Sequence, residues 1–189
     1  MSKPPLRQYY WDTCVFIAFL ADDRKAYGDA VIDDIGQFLN DACRGECVIH
    51  CSTITIAEIT RANCRGETDF DAFMEQWGGG IVPLSPDPNT MRIASELRSA
   101  IYPKTGGARK LHTPDAIHLA SALTLIDPYG VNIDEFNTFD RGKSRDPEGK
   151  GVPLLGYEEW CEKCADDPLV KRVIDLKRCA PLHPARTLL

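Results

Sequence analysis

No stretch of this chain is apolar for long enough to span a bilayer. The longest clean apolar run near the N-terminus is Cys14 to Ala21, whereas a membrane helix needs roughly 20 such residues. Asp12 stands just before that run and no small-residue cleavage pattern follows it, so no secretory signal is expected. Positive charge is also in short supply. Lys and Arg number 22 against 28 Asp and Glu, for a net charge of -6 and a pI near 5.2. An overall field of that sign does not attract nucleic acid, so any hold on RNA or DNA must come from local basic patches or a bound metal. The chain has no internal repeat and no low-complexity tract. These absences point to a cytoplasmic protein without a membrane role. In a reducing cytosol its eight cysteines are expected to be mostly thiols.

The 189 residues suffice for one well-buried domain. Gln8 to Asp12 reads as an aromatic-rich strand, followed by a short helix over Cys14 to Leu20. Val31, Ile35, Phe38, Leu39 and Ala42 recur at helical spacing and predict an amphipathic helix from about residue 26 to 43, stopped by Gly45. CVIHC, residues 47–51, is a candidate buried strand, and Ser52 or Thr53 opens a helix that carries Ile56, Glu58 and Ile59. A helix near Asp69 to Trp77 runs into three glycines. A third strand follows at Ile81 to Leu84, and a helix marked by Ala94, Leu97 and Ile101 comes after it. Thr113 caps a further helix, with Pro114 in its first turn. Phe136 to Phe139 is a fourth strand and Val152 to Leu155 a candidate fifth. Strands alternating with helices predict an α/β fold with a mostly parallel sheet. Residues 1–156 read as the domain proper and 157–189 as a helical extension packed on or beside it.

Four acidic residues fall where strands and helices exchange: Asp12 in YYWDTCVF, Glu58 in STITIAEIT, Asp115 in HTPDAIHLASAL and Asp140 in FNTFDRG. Open parallel sheets bind ligands at the carboxyl ends of their strands. Asp12 and Asp140 are expected at strand ends, with Glu58 and Asp115 in early helical turns at the same rim. Carboxylates gathered there would repel one another and call for a cation, and hard oxygen donors suit Mg²⁺ or Mn²⁺ and phosphodiester chemistry. Each residue also has a structural reading. Glu58 three residues after Thr55 fits a capping box, Asp115 complements a helix dipole, and Asp12 and Asp140 suit turns.

DTCVFIAFL at Asp12, ITIAEITRA at Glu58, TPDAIHLASAL at Asp115 and TFDRG at Asp140, in that order and at those intervals, resemble the PIN-domain family of metal-dependent nucleases. The resemblance is greatest to the VapC-like ribonucleases, toxins of toxin–antitoxin pairs. It covers roughly residues 8 to 155. It implies a three-layer α/β/α sandwich and a metal site at Asp12, Glu58, Asp115 and Asp140, steadied by the hydroxyls of Thr13 and Thr138. It further implies Mg²⁺- or Mn²⁺-dependent hydrolysis of RNA to 5′-phosphate and 3′-hydroxyl ends, a small antitoxin as partner, and a homodimer. The long first helical region, the many cysteines and the C-terminal extension depart from the family pattern.

Basic residues stand beside three of the four acids. Arg61 and Arg65 follow Glu58; Lys104, Arg109 and Lys110 precede Asp115; Arg141, Lys143 and Arg145 follow Asp140. Of these, Arg61, Arg109, Lys110, Arg141 and Lys143 are the candidates for phosphate contact. Cys161, Cys164, Cys179 and His183 give C-x2-C-x14-C-x3-H, a spacing within the range of structural zinc, although a shared helix for the first two cysteines argues against it. Cys14, Cys43, Cys47, Cys51 and Cys64 read as small core residues. His118, three residues after Asp115, can share that helix face; it reads as a packed or surface histidine, with a catalytic role as the alternative, and His112 lies near the basic loop, within reach of a substrate.

Two other readings compete with the nuclease. A PIN-like scaffold that binds RNA or a partner protein with weak or no catalysis runs against the complete acidic set. A phosphatase of the haloacid-dehalogenase kind would use Asp12 as nucleophile, but needs a second Asp where this chain has Cys14.

Overall fold

The computed structural model describes residues 5–66, 69–127, 129–142 and 150–184. Five strands form one sheet: β1 (Arg7–Trp11), β2 (Cys47–Ser52), β3 (Ile81–Leu84), β4 (Glu135–Asn137) and β5 (Arg178–Cys179). Every pairing is parallel, and the order is β3-β2-β1-β4-β5. The chain therefore winds outward from β1 to β3 on one side and then crosses back to lay β4 on the other. Strand order reverses between β1 and β4, and an open α/β sheet has its crevice outside the carboxyl ends of such a pair.

Helices cover both faces, in a three-layer α/β/α arrangement. They are α1 (Thr13–Leu20), α2 (Arg24–Tyr27), α3 (Asp29–Cys43), α4 (Ile54–Glu58), α5 (Phe70–Trp77), α6 (Pro88–Ser99), α7 (Thr113–Ile126), α8 (Glu158–Lys163) and α9 (Pro168–Ile174). Successive side chains of a strand point to opposite faces, and β1 sorts its aromatics accordingly. Tyr9 and Trp11 pack with Phe16, Ile35 and Phe38 of α1 and α3, while Tyr10 packs with Leu97, Leu119 and Phe136 on the other face. Tyr10 stacks on Phe136 with ring centroids 4.9 Å apart.

Several local expectations are corrected. The predicted helix over 26–43 is two helices, because Gly28 takes φ +89° between α2 and α3. Residues 152–155 form no named strand; the fifth strand is β5, from the C-terminal extension. That extension also buries Tyr157, Trp160, Val170, Val173 and Leu176 in the same core as α6 and α7. Glu58 is the last residue of the short helix α4, and Thr55 is buried with its hydroxyl 3.0 Å from that of Thr13, so the alternative reading of a Thr55–Glu58 capping box is not realised. His112, not Thr113, occupies the cap position of α7. Cys43 is exposed, unlike the buried Cys47 and Cys51. Among the described residues no helix is long and apolar enough to cross a membrane.

Candidate functional site

The crevice beyond β1 and β4 holds a cavity of about 270 Å³, and Asp12, Glu58, Asp115 and Asp140 all line it. Each arrives by a different element. Asp12 follows the last residue of β1, and its backbone N–H donates to the Asn137 carbonyl at 3.0 Å, which extends the β1–β4 pairing to the rim. Its side chain is buried, and Oδ2 accepts from Thr138 Oγ1 at 2.6 Å and from Cys14 Sγ at 3.0 Å. Burial pushes the Cys14 thiol well above its ordinary range, and the adjacent Asp12 charge adds to this, so Cys14 remains a donor.

Glu58 reaches the site from the end of α4, where Thr13 Oγ1 donates to its Oε2 at 2.6 Å. Asp115 lies in the first turn of α7, behind Pro114, and its Oδ2 is 3.9 Å from His112 Nδ1. Asp140 is held by the backbone. Its Oδ1 accepts from Gly142 N and its Oδ2 from Leu154 N, each at 2.8 Å. The Asp140 carboxylate thereby fastens the segment near Leu154 over the rim. Thr13 and Thr138 thus each donate to a different carboxylate of the cavity.

The structure makes His118 a packed histidine, one of the readings its sequence position allows. It is fully buried beneath the cavity. Its Nε2 lies 3.0 Å from Thr13 Oγ1, 3.2 Å from Glu58 Oε2 and 3.4 Å from Asp12 Oδ1. The only hint in the sequence is its i+3 spacing from Asp115 on one helix. A close approach of Gly151 to His112 carried no such signal. A Cβ at Gly151 would sit 2.4 Å from the imidazole Cε1, so the glycine lets the chain pass against that ring.

The donor set consists of hard oxygens, as Mg²⁺ and Mn²⁺ require. Among the described residues, no three Asp, Glu, His or Cys side chains form a cluster ready to close on one ion. The four carboxylates border the cavity without meeting at a point. Mg²⁺ usually keeps several waters and takes only one or two carboxylates, so an acid-lined cavity of this kind fits a partly hydrated ion.

Of the cations expected nearby, Lys110 bridges to Gly151, which lines the cavity, and Arg109 pairs with Tyr102 one residue earlier. Arg61 is exposed in a 3₁₀ turn just past Glu58, and Arg141 is exposed directly after Asp140. Arg65 is ion-paired with Asp22 and Lys104 with Glu159, so both are engaged away from the cavity. Lys143 and Arg145 lie outside the described residues. Among the described residues the zinc spacing is not realised as a cluster. His183 Nε2 is 2.7 Å from Asp41 Oδ2 and its ring packs on Phe38, Asn137 donates to Cys179 Sγ at 3.3 Å, and Cys161 is buried in the core.

A larger cavity, about 460 Å³, lies beside β3, α6 and α7. Its one carboxylate, Asp87, is occupied in capping α6 through Thr90 N at 2.7 Å, so it offers no comparable chemistry. No family model and no curated protein matches the chain.

Proposed function

We propose that the acidic cavity is the catalytic site of a metal-dependent endoribonuclease of the PIN type, resembling the VapC-like toxins. One observation carries this reading: carboxylates from four distant segments line a single cavity where the strand order reverses. Taken singly, each acid has a structural role available to it; together at one rim they form a place for Mg²⁺ or Mn²⁺. Asp12, Glu58, Asp115 and Asp140 are the residues that would hold the ion. The chemistry it supplies when bound is activation of a water and neutralisation of phosphoryl charge.

The chain's own groups do the rest. Thr138 and Cys14 fix Asp12, Thr13 fixes Glu58, and two backbone N–H groups fix Asp140. A carboxylate of the set orients the attacking water or takes its proton. Lys110, Arg109, Arg61 and Arg141 give an acidic protein the local positive charge needed to meet a phosphate backbone. By the same resemblance, the products carry 5′-phosphates and 3′-hydroxyls, a small antitoxin covers the site, and the protein acts as a homodimer.

A second reading is a PIN-like module that binds RNA or a partner protein with little catalysis. It is favoured by the lack of a preformed three-residue metal cluster among the described residues. Cleavage of RNA by the wild-type chain, Asp12→Asn and Asp115→Asn in the presence of Mn²⁺ separates the two. Loss of cutting in both variants with retained folding supports the nuclease. Equal RNA binding by all three proteins, with no cutting by any, supports the module.

A further inference from the structure

We propose that His118 is a positioning residue of the acidic site: its Nε2–H, hydrogen-bonded to Glu58 and close to Asp12, sets the spacing of the two acids, and Tyr10 fixes the ring. This inference rests on the reading of the cavity as a metal site. His118 projects from the second turn of α7, whose first turn carries Asp115. Its ring is fully buried, so none of its contacts is exchanged with bulk water.

Every described polar group facing Nε2 belongs to the cavity wall: Thr13 Oγ1 at 3.0 Å, Glu58 Oε2 at 3.2 Å and Asp12 Oδ1 at 3.4 Å. Two of these are carboxylates, which only accept, so the ring nitrogen between them carries the proton. Thr13 spends its own proton on Glu58 at 2.6 Å, which leaves the Thr13 oxygen free to accept from the imidazole as well. At the opposite end of the ring, Nδ1 lies 3.1 Å from the Tyr10 hydroxyl. Tyr10 is buried completely, and with the ring proton on Nε2 the bare Nδ1 is an acceptor, so the Tyr10 O–H donates to it.

The result is a chain of hydrogen bonds from the sheet core to the rim: Tyr10 to His118, and His118 to Thr13 and Glu58, with the Asp12 carboxylate 3.4 Å from the same ring nitrogen. A ligating carboxylate whose orientation is set by such a partner loses about 10- to 100-fold in metal affinity when the partner is removed. Neither end of this chain needs to touch substrate, so its effect appears in metal affinity and kcat, not in KM for RNA.

The experiment measures Mn²⁺ affinity of the full-length protein by calorimetry, with the thermal midpoint and the kcat–KM split recorded alongside. It compares wild type, His118→Ala, His118→Gln and Tyr10→Phe. The expected result is Mn²⁺ binding weakened about 10- to 100-fold in folded His118→Ala. His118→Gln, whose amide N–H can replace the ring N–H, recovers most of the affinity. Tyr10→Phe, which keeps the core volume, shows a smaller loss in the same direction. The proposal is overturned on its own if wild type binds Mn²⁺ and Tyr10→Phe and His118→Gln both remain folded with no difference between Tyr10→Phe and wild type. It is equally overturned if the Ala and Gln variants are impaired alike. Wild-type protein that binds no Mn²⁺ overturns the underlying metal reading and this proposal together.

Discussion

The hydroxyl of Thr138 donates to Oδ2 of Asp12 across 2.6 Å, joining the end of β4 to the end of β1 where the strand order reverses. Both side chains are buried. Thr138→Val keeps the shape and removes the donor, leaving a buried carboxylate oxygen short of one partner. The expected cost is about 1–3 kcal/mol, measured by urea unfolding in the absence of metal. Unchanged stability would mean that the hydrogen bond is replaced at no cost or is not formed in solution.

Gly80 is required by a close approach of two elements. A Cβ placed there would lie 2.3 Å from the backbone carbon of Ala42 near the end of α3. Backbone cannot rotate aside as a side chain can. Gly80→Ala is therefore expected to destabilise by about 1–3 kcal/mol or more, whereas Gly79→Ala, whose Cβ meets nothing within 4 Å, serves as its control. Equal unfolding midpoints for the two variants would contradict this packing.

His50 makes folding sensitive to acid. It is buried on β2, and its Nε2 lies 2.7 Å from Gln8 Oε1. With that nitrogen donating to the amide oxygen, Nδ1 is left buried without a hydrogen-bond partner among the described residues. Burial disfavours the charged ring and lowers its pKa from the ordinary value. The folded state thus binds a proton less readily than the unfolded one. The stability His50 contributes is fully present above the unfolded value near 6.5, and it is lost as pH falls from there through the folded value. Every other titratable group is common to both proteins, so the informative quantity is a difference. Urea unfolding between about pH 7.5 and about pH 5.5 should show a smaller loss of stability in His50→Gln than in wild type. An identical slope would rule out His50 as the source.

The cysteines should separate by environment. Cys43 is exposed, whereas burial pushes the thiols of Cys47 and Cys51 up to about 12 and holds Cys14 well above its usual range. Thiolates are the reactive form. Brief treatment of the native protein with a maleimide, followed by peptide mass mapping, should find Cys43 modified while Cys14, Cys47 and Cys51 are spared. Labelling of Cys14 as fast as Cys43 would show that the cavity wall opens.

Much of this fold was legible because its signals are local and periodic. Alternating Tyr9, Tyr10 and Trp11 already serve both faces of a sheet, and Asp12 and Asp140 follow strands whose apolar runs are short and bounded. The two-residue strand β5 was not legible. Arg178 and Cys179 have no apolar alternation, and they pair because α8 and α9 dock against α6 and α7 and deliver them to the edge of β4. The side-chain partner of Glu58 was not legible for a related reason. Thr55 and Glu58 have capping-box spacing, but tertiary hydrogen bonds to Thr13 override it. The neighbourhood of His118 was not legible because its partners, Tyr10, Thr13 and Glu58, are more than fifty residues away in sequence, and the winding of a parallel sheet brings them together.

The most direct test of the acidic cavity is cleavage of end-labelled RNA by the full chain after removal of metal with EDTA. The account predicts no cutting in EDTA and restored cutting on addition of excess Mg²⁺ or Mn²⁺. The products should bear 5′-phosphate and 3′-hydroxyl ends, and Asp12→Asn should remain inactive under the same conditions. Full activity in EDTA, or an Asp12→Asn variant that cuts as well as wild type, would contradict it.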